Sequence, residues 1–241
     1  MRIEACLNGD RRPGSHPALP VSPDQLAADA RAVVAAGAAA VHIHPRDARG
    51  RESLEPQVIA PVLDRIRAAV PDVPISVTTA LSAEPDPWRR FDLVQRWGAL
   101  PDSVTVNLHE PGSVEVARLL IDRRVGVEAG VWTVESARIL LASGLVAGFA
   151  RVLLEPMQRT VADAVANADR IEELLDQSAP DLPRLLHGTD DTAWPVLDAA
   201  VGRGHDIRIG LEDTLQTPEG GEAADNAALV AHAVRRLRAA A

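Results

Sequence analysis

Eight short apolar runs, each followed by a stretch of helical periodicity, set the tightest limit on what this chain can fold into. The runs read as strands are residues 2–7, 39–43, 75–78, 103–107, 125–128, 148–153, 183–186 and 206–209. Between them apolar residues recur at three- and four-residue intervals, as in residues 24–36, 57–69, 115–122, 134–142, 161–176 and 194–203, with a last such segment at 223–240. The first helix carries its own start and stop signals: Ser22 as cap, Pro23 at the first helical position, and Gly37 after two alanines. A strand and a helix repeating at roughly thirty-residue spacing fit a (β/α)8 TIM barrel of the α/β class. An open doubly wound sheet is the competing arrangement, but it uses fewer strands and a glycine fingerprint in its first turn. No linker or low-complexity tract interrupts the pattern, so one barrel domain is expected over residues 1–241.

The second run ends in Val41-His42-Ile43-His44-Pro45-Arg46-Asp47. Successive strand residues point to opposite faces, so His42 and His44 project together, with Arg46 on the same parity. Pro45 stops the strand and leaves Arg46 and Asp47 at its mouth. Two imidazoles side by side on a rigid strand are half of a metal site, whereas a single one would read as a hydrogen-bonded strand histidine.

A (β/α)8 barrel carries its active site at the carboxyl ends of the strands. Polar residues collect at those ends here: Asn8-Gly9-Asp10, Thr78-Thr79, Thr105, Asn107, His109, Glu110, Glu128, Glu155, His187 and Arg208 to Asp213. Asp190, just before a helix, reads as a cap. In a closed barrel the eighth strand lies beside the first, which brings Glu212 near the second strand across one neighbour. Glu212 is therefore the favoured third ligand, giving the His2Glu set with an open position used by catalytic zinc. His187, His109 and Glu128 compete for that place. His205 precedes the eighth strand at the opposite end and reads as structural; His16 and His232 read as loop and surface residues. Arg208 and Asp213 flank Glu212 and are placed to pair. The pair is either a salt bridge tying off the eighth strand or a catalytic aspartate, although an arginine partner makes an aspartate a poorer base.

Composition closes several routes. All 25 basic residues are arginine, so neither a Schiff-base lysine nor a P-loop lysine is present. Tyrosine is also absent, leaving acid–base work to His, Asp, Glu or a metal-bound water. A net charge of −9 argues against nucleic acid as a partner. Cys6 is the single cysteine, so no intrachain disulfide can form, as expected in a reducing cytoplasm. The amino terminus lacks the apolar run of a signal peptide and no segment nears membrane-spanning length, so a cytoplasmic chain without membrane contact is expected.

Taken together the residues resemble the β-keto acid cleavage enzymes. The resemblance covers nearly the whole chain, through Leu7-Asn8-Gly9, residues 16–23, residues 36–47, Ser76-Val-Thr-Thr79, Ser103-Val-Thr105-Val-Asn107 and Arg208-Ile-Gly210-Leu-Glu212-Asp213. It implies a zinc-dependent barrel in which His42, His44 and Glu212 hold Zn2+ and the keto acid completes the coordination. It implies that Thr78, Thr105, Asn107 and Glu128 bind substrate, and that Asp213, assisted by Arg208, is the base. The implied reaction starts from an acetyl-CoA carbanion that adds to the keto group. Retro-Claisen cleavage and thioester exchange then give acetoacetate and a new acyl-CoA, with zinc in place of an iminium as the electron sink. Arg46 is expected to contact substrate and support the rim, and the working form to be a homo-oligomer, a tetramer.

Three departures stand out. Ala80-Leu81 replaces expected glycines, His187-Gly-Thr-Asp-Asp191 replaces a glycine- and arginine-bearing turn, and the chain ends soon after its last helix. They point to an altered side-chain pocket or altered use of CoA, with His187 expected to contact substrate and with His187 and Trp132 as the residues to exchange when testing specificity. The alternatives are a CoA-independent metal-dependent lyase or hydrolase acting on a keto acid, and a non-catalytic barrel that binds a metal or metabolite.

Overall fold

In the computed structural model, which describes residues 1–240, strands and helices alternate along the whole chain. The strands are β1 (Ile3–Cys6), β2 (Ala40–Ile43), β3 (Ile75–Thr78), β4 (Ser103–Asn107), β5 (Gly126–Val131), β6 (Phe149–Leu154), β7 (Arg184–Leu186) and β8 (Asp206–Ile209). The helices that follow them are α1 (Pro23–Ala36), α2 (Pro56–Ala69), α3 (Pro87–Gln95), α4 (Ser113–Asp122), α5 (Val134–Ala142), α6 (Val161–Ser178), α7 (Ala193–Arg203) and α8 (Asn226–Ala240). Neighbouring strands pair in parallel in chain order, and β8 pairs back to β1, so the sheet closes into a (β/α)8 barrel. No described helix is long and apolar enough to cross a membrane.

The two-residue period of the strands sorts the barrel's two surfaces. Register aligns Ile43, Val77, Val104 and Val127 across β2 to β5, an apolar row that packs against the helices. The alternate rows are polar: Cys6, His42, Ser76 and Ser103 form one, and Thr78, Thr105, Glu128 and Arg151 another. The interior therefore carries charge along its length, where such barrels more commonly stack branched aliphatic side chains.

Helix starts follow local chemistry. Ser22 caps α1 in a reciprocal box with Gln25, and Gly37 ends it in the left-handed conformation. Helix α3 is absent from the segments read by periodicity. It is nine residues long, contains Arg89 and Arg90 in sequence, and leaves Trp88 78% exposed, so its apolar stripe is weak. Its signal was the pair Asp86-Pro87: Asp86 accepts from the Trp88 and Arg89 amides, and proline takes the first helical position.

One strand boundary matters for the site. β5 runs to Val131, beyond its expected end at Glu128, because Ala129, Gly130 and Val131 keep pairing with β4 and β6. Glu128 consequently lies toward the amino-terminal end of the barrel. There Arg151 forms an ion pair with Glu4, reaches Glu128 at 2.8 Å and Asp206 at 3.6 Å, and Ser103 donates to Glu128 at 2.9 Å. Burial, reinforced by Glu128, raises the Glu4 carboxyl to about 7 against the opposing pull of Arg151.

Candidate metal centre

The end of β1 is clamped to the end of β2 by a single side chain. Asn8 donates to the His44 carbonyl and accepts from the His44 amide, both at 2.9 Å. The loop after β8 is held from two sides. Gly210 presses on the Cys6 carbonyl, where any Cβ would overlap, and Asn226 at the start of α8 bridges the Leu211 amide and the Leu7 carbonyl at 2.6 and 2.8 Å. Gly9, at a φ of +55°, packs directly on the Glu212 side chain. These contacts bring the carboxyl ends of β1, β2 and β8 together.

His42, His44 and Glu212 converge there, with one potential ligand atom from each lying within 4.8 Å of the other two. Each imidazole has its outer nitrogen taken. Nδ1 of His42 lies 3.0 Å from Ser76 Oγ, and Nδ1 of His44 pairs with Glu52, which leaves both Nε2 atoms for the centre. This is how metal-binding histidines are usually oriented. Burial holds the His42 imidazole well below its ordinary pKa, which is the neutral form a metal needs. His44 goes the other way: burial would lower it, but Glu212 and Glu52 outweigh burial and raise it to about 9. Burial would raise Glu212, but Arg208, His44 and His42 together hold its carboxyl well below the usual range. Glu212 Oε1 accepts from Arg208 Nη2 at 2.6 Å, while Oε2 is buried with no hydrogen-bond partner. Two neutral-capable imidazoles and an ionised carboxylate with a free oxygen fit a divalent metal.

The centre opens into a cavity of about 280 Å3. Thr78, Thr105, Asn107, Arg208 and Asp213 line it. The Arg208 guanidinium donates twice to Asp213 Oδ1, at 3.1 and 2.9 Å. Asp213 Oδ2, Thr105 Oγ1 and Asn107 Oδ1 are buried and unpaired, as is Glu212 Oε2. Buried polar atoms are paired in nearly all of a native interior, so four unpaired ones around one cavity mark a binding site.

Three residues read as substrate contacts sit elsewhere. Glu128 belongs to the amino-terminal cluster around Arg151, because β5 continues three residues past it. Arg46 is 6% exposed, and its two terminal nitrogens donate to the Gly50, Gly9 and Arg11 carbonyls, so it ties the rim loops together. His187 is 1% exposed and lies behind Asp213 and Glu155 rather than on the cavity wall. Among the alternative third ligands, His109 stacks on Trp132, and neither His187 nor Glu128 reaches the pair of histidines. His205 pairs with Glu172 at the far end. His16 is buried, not a surface residue, with Nε2 2.9 Å from the Ala223 carbonyl and Nδ1 accepting from the Ala18 amide. Asp190 is not a cap: Thr189 takes that place in the short turn Asp190–Thr192, and Asp190 pairs with Arg11.

Other cavity residues carried no motif. Glu110 lines the wall, accepts from Asn107 and the Leu81 amide, and is paired with the buried Arg90. Glu155 accepts from Trp132 Nε1 at 2.9 Å, and although burial would raise its carboxyl, His187 holds it below its ordinary range. Glu52 reaches His44 from the loop after β2 through an isolated antiparallel bridge with Arg46, which no periodicity reports. Ser76 was accessible to parity reasoning, since it pairs in register with His42.

A family model described as beta-keto acid cleavage enzyme matches residues 1–241. No curated protein matches the chain. Among solved structures, ObcA in a binary complex with oxaloacetate superposes with a TM-score of 0.77 at 16% identity, covering 92% of this chain and 64% of that one. A ternary complex of ObcA with a C4-CoA adduct and oxalate gives 0.76 at 17% identity, covering 92% and 64%. A type I 3-dehydroquinate dehydratase from Clostridium difficile gives 0.69 at 13% identity, covering 99% and 91%. The chain thus spans less than two thirds of the length of ObcA, and these likenesses establish the barrel fold.

Proposed function

The chain belongs to the beta-keto acid cleavage enzymes, and from that premise we propose that it exchanges acyl groups between a β-keto acid and acetyl-CoA with the help of zinc, yielding acetoacetate and a new acyl-CoA. The observation that carries this reading is the cavity where Glu212 Oε2, Asp213 Oδ2, Thr105 Oγ1 and Asn107 Oδ1 stand buried and unpaired beside His42 and His44. ObcA, whose complexes hold oxaloacetate and a CoA adduct, supports a keto acid and a CoA thioester as the two reactants.

His42, His44 and Glu212 would hold the metal, with Ser76 and Glu52 fixing the two rings. When bound, zinc supplies Lewis-acid polarisation of a carbonyl and offsets negative charge in a site with no lysine. Asp213 takes a methyl proton from acetyl-CoA at Oδ2, the oxygen that Arg208 leaves free. Arg208 holds the opposite oxygen and Glu212 at once, keeping base and metal ligand in fixed relation. Thr105 and Asn107 offer their open polar atoms to the keto acid, with Thr78 beside them on the wall. In the net exchange the C2–C3 bond of the keto acid breaks, its two-carbon acid fragment joins the acetyl group, and the thioester passes to the remaining acyl fragment.

The test is a panel of β-keto acids incubated with zinc, with and without acetyl-CoA, reading products by mass. The expected outcome is acetoacetate and a new acyl-CoA in equal amounts, both strictly dependent on acetyl-CoA. Turnover of the keto acid without acetyl-CoA would contradict the transferase reading and favour a metal-dependent lyase or hydrolase.

A further inference from the structure

His187 stands out because it is fully enclosed, faces two carboxylates, and has no hydrogen-bond partner on either ring nitrogen. Its Nδ1 lies 3.4 Å from Asp213 Oδ1 and its Nε2 lies 3.6 Å from Glu155 Oε2. We propose that His187 is a positioning residue for Asp213, holding that carboxylate by Oδ1 so that Oδ2 stays free at the cavity. The inference rests on the proposed role of Asp213 as the base.

Three further contacts make the arrangement specific. Arg208 also donates to Asp213 Oδ1, so both cationic groups meet one oxygen and leave the other open. The loop after β7 grips the Asp213 main chain as well: the Asp190 amide donates to the Asp213 carbonyl at 2.6 Å. That loop turns tightly at Gly188, where an added Cβ would lie 2.7 Å from Thr192 Oγ1. On the other side Glu155 is anchored by Trp132 Nε1, so the imidazole is backed by a fixed carboxylate. Burial and Arg208 would both lower the His187 pKa, but Glu155 and Asp213 outweigh them and raise it to about 9, so each ring nitrogen carries a proton at neutral pH. A separation of 3.4 Å closes to a hydrogen bond with a shift of about 0.5 Å, and catalytic hydrogen bonds commonly tighten only when the reacting complex forms.

A specificity residue and a positioning residue respond differently to substitution. The experiment measures deuterium exchange into the methyl group of acetyl-CoA, kcat and KM for the keto acid, and zinc content, in the wild type, H187A, H187N and H187Q. In H187A, exchange and kcat should fall together by about 10- to 100-fold, the range for removing a supporting hydrogen-bond partner. KM and zinc content should stay within about twofold, because the ring lies behind the wall residues Asp213 and Glu155 and is not one of the metal ligands. Asparagine places its amide nitrogen near the position of Nδ1 and should restore most of the loss, while glutamine, which mimics Nε2, should not. If H187A folds poorly, the contrast between H187N and H187Q still decides the question. A change in KM with kcat intact, unchanged exchange in H187A, or equal activity in H187N and H187Q overturns the proposal. A wild type that exchanges no methyl protons removes Asp213 as the base and His187 with it, an outcome distinct from exchange that the His187 variants leave untouched.

Discussion

Both ends of the barrel bury a carboxylate beside an arginine, and the two carboxylates are driven in opposite directions. At the amino-terminal end, burial and the like charge of Glu128 push Glu4 up to about 7, although Arg151 sits against it. At the carboxyl end, burial is outweighed by Arg208 and two histidines, and Glu212 is held well below the carboxylate range. The amino-terminal cluster sets one arginine against Glu4, Glu128 and Asp206, contains no imidazole, and drives Glu4 toward its neutral form. The carboxyl cluster keeps an anion with a free oxygen beside two imidazoles. Buried charge alone therefore does not mark a metal site. An ionised carboxylate kept short of partners, with donors already converging, fits one.

Breaking the carboxyl end should give the largest effect. Glu212→Ala is expected to remove stoichiometric zinc and lower turnover by about 10³-fold, the upper range for losing one electrostatic stabiliser. Arg208 still pairs with Asp213 there, so the unfolding temperature by calorimetry should stay close to that of the zinc-free wild type. Breaking the amino-terminal end should do the reverse. Arg151→Met leaves Glu4 and Glu128 buried together and is expected to destabilise the fold by about 3–5 kcal/mol in denaturant titration. Activity per folded molecule should be unchanged, since Arg151 is absent from the cavity wall.

Smaller changes sharpen the contrast. Glu52→Gln and Ser76→Ala free the outer nitrogens of the two rings proposed to hold the metal, and each should weaken zinc affinity about 10- to 100-fold in competition with a chelator dye. The mildest effect concerns pH. Glu4 has a folded pKa of about 7, above its ordinary 4.5, so folding favours its neutral form. Its contribution is fully present below about pH 4.5 and is lost as pH rises through about 7. Asp29, also raised to about 7 by burial, acts in the same direction. Thermal stability should therefore decline from pH 5 to 8 by this contribution, and Glu4→Gln should reduce that slope while Asp29 maintains part of it. An unchanged slope in Glu4→Gln would show that the amino-terminal carboxylate titrates alike folded and unfolded.

The barrel was legible because period-two runs and helical segments alternate without interruption, and seven of the eight strands lie within one residue of their expected ends. The place of Glu212 followed from closure alone, since β8 must return beside β1. Where the reading from sequence departed, the cause was three-dimensional. Glu128 has the same residue type and parity as a wall residue, but β5 runs three residues further and leaves it at the other end. Arg46 has the parity of a wall residue, but the carbonyls of Gly9, Arg11 and Gly50 take its terminal nitrogens. His187 carries the right chemistry, and only its place behind Asp213, off the cavity wall, sets it apart from a residue that contacts substrate. Glu52 and Glu155 lie outside any motif and reach their partners through loop geometry and a single indole contact.

The most direct test of the central claim is anomalous diffraction at the zinc edge from crystals of the wild-type protein grown with zinc. The expected result is one peak at about 2.0–2.2 Å from Nε2 of His42, Nε2 of His44 and a carboxylate oxygen of Glu212. No peak at that position, or a peak held by the amino-terminal carboxylates Glu4 and Glu128, would contradict the account.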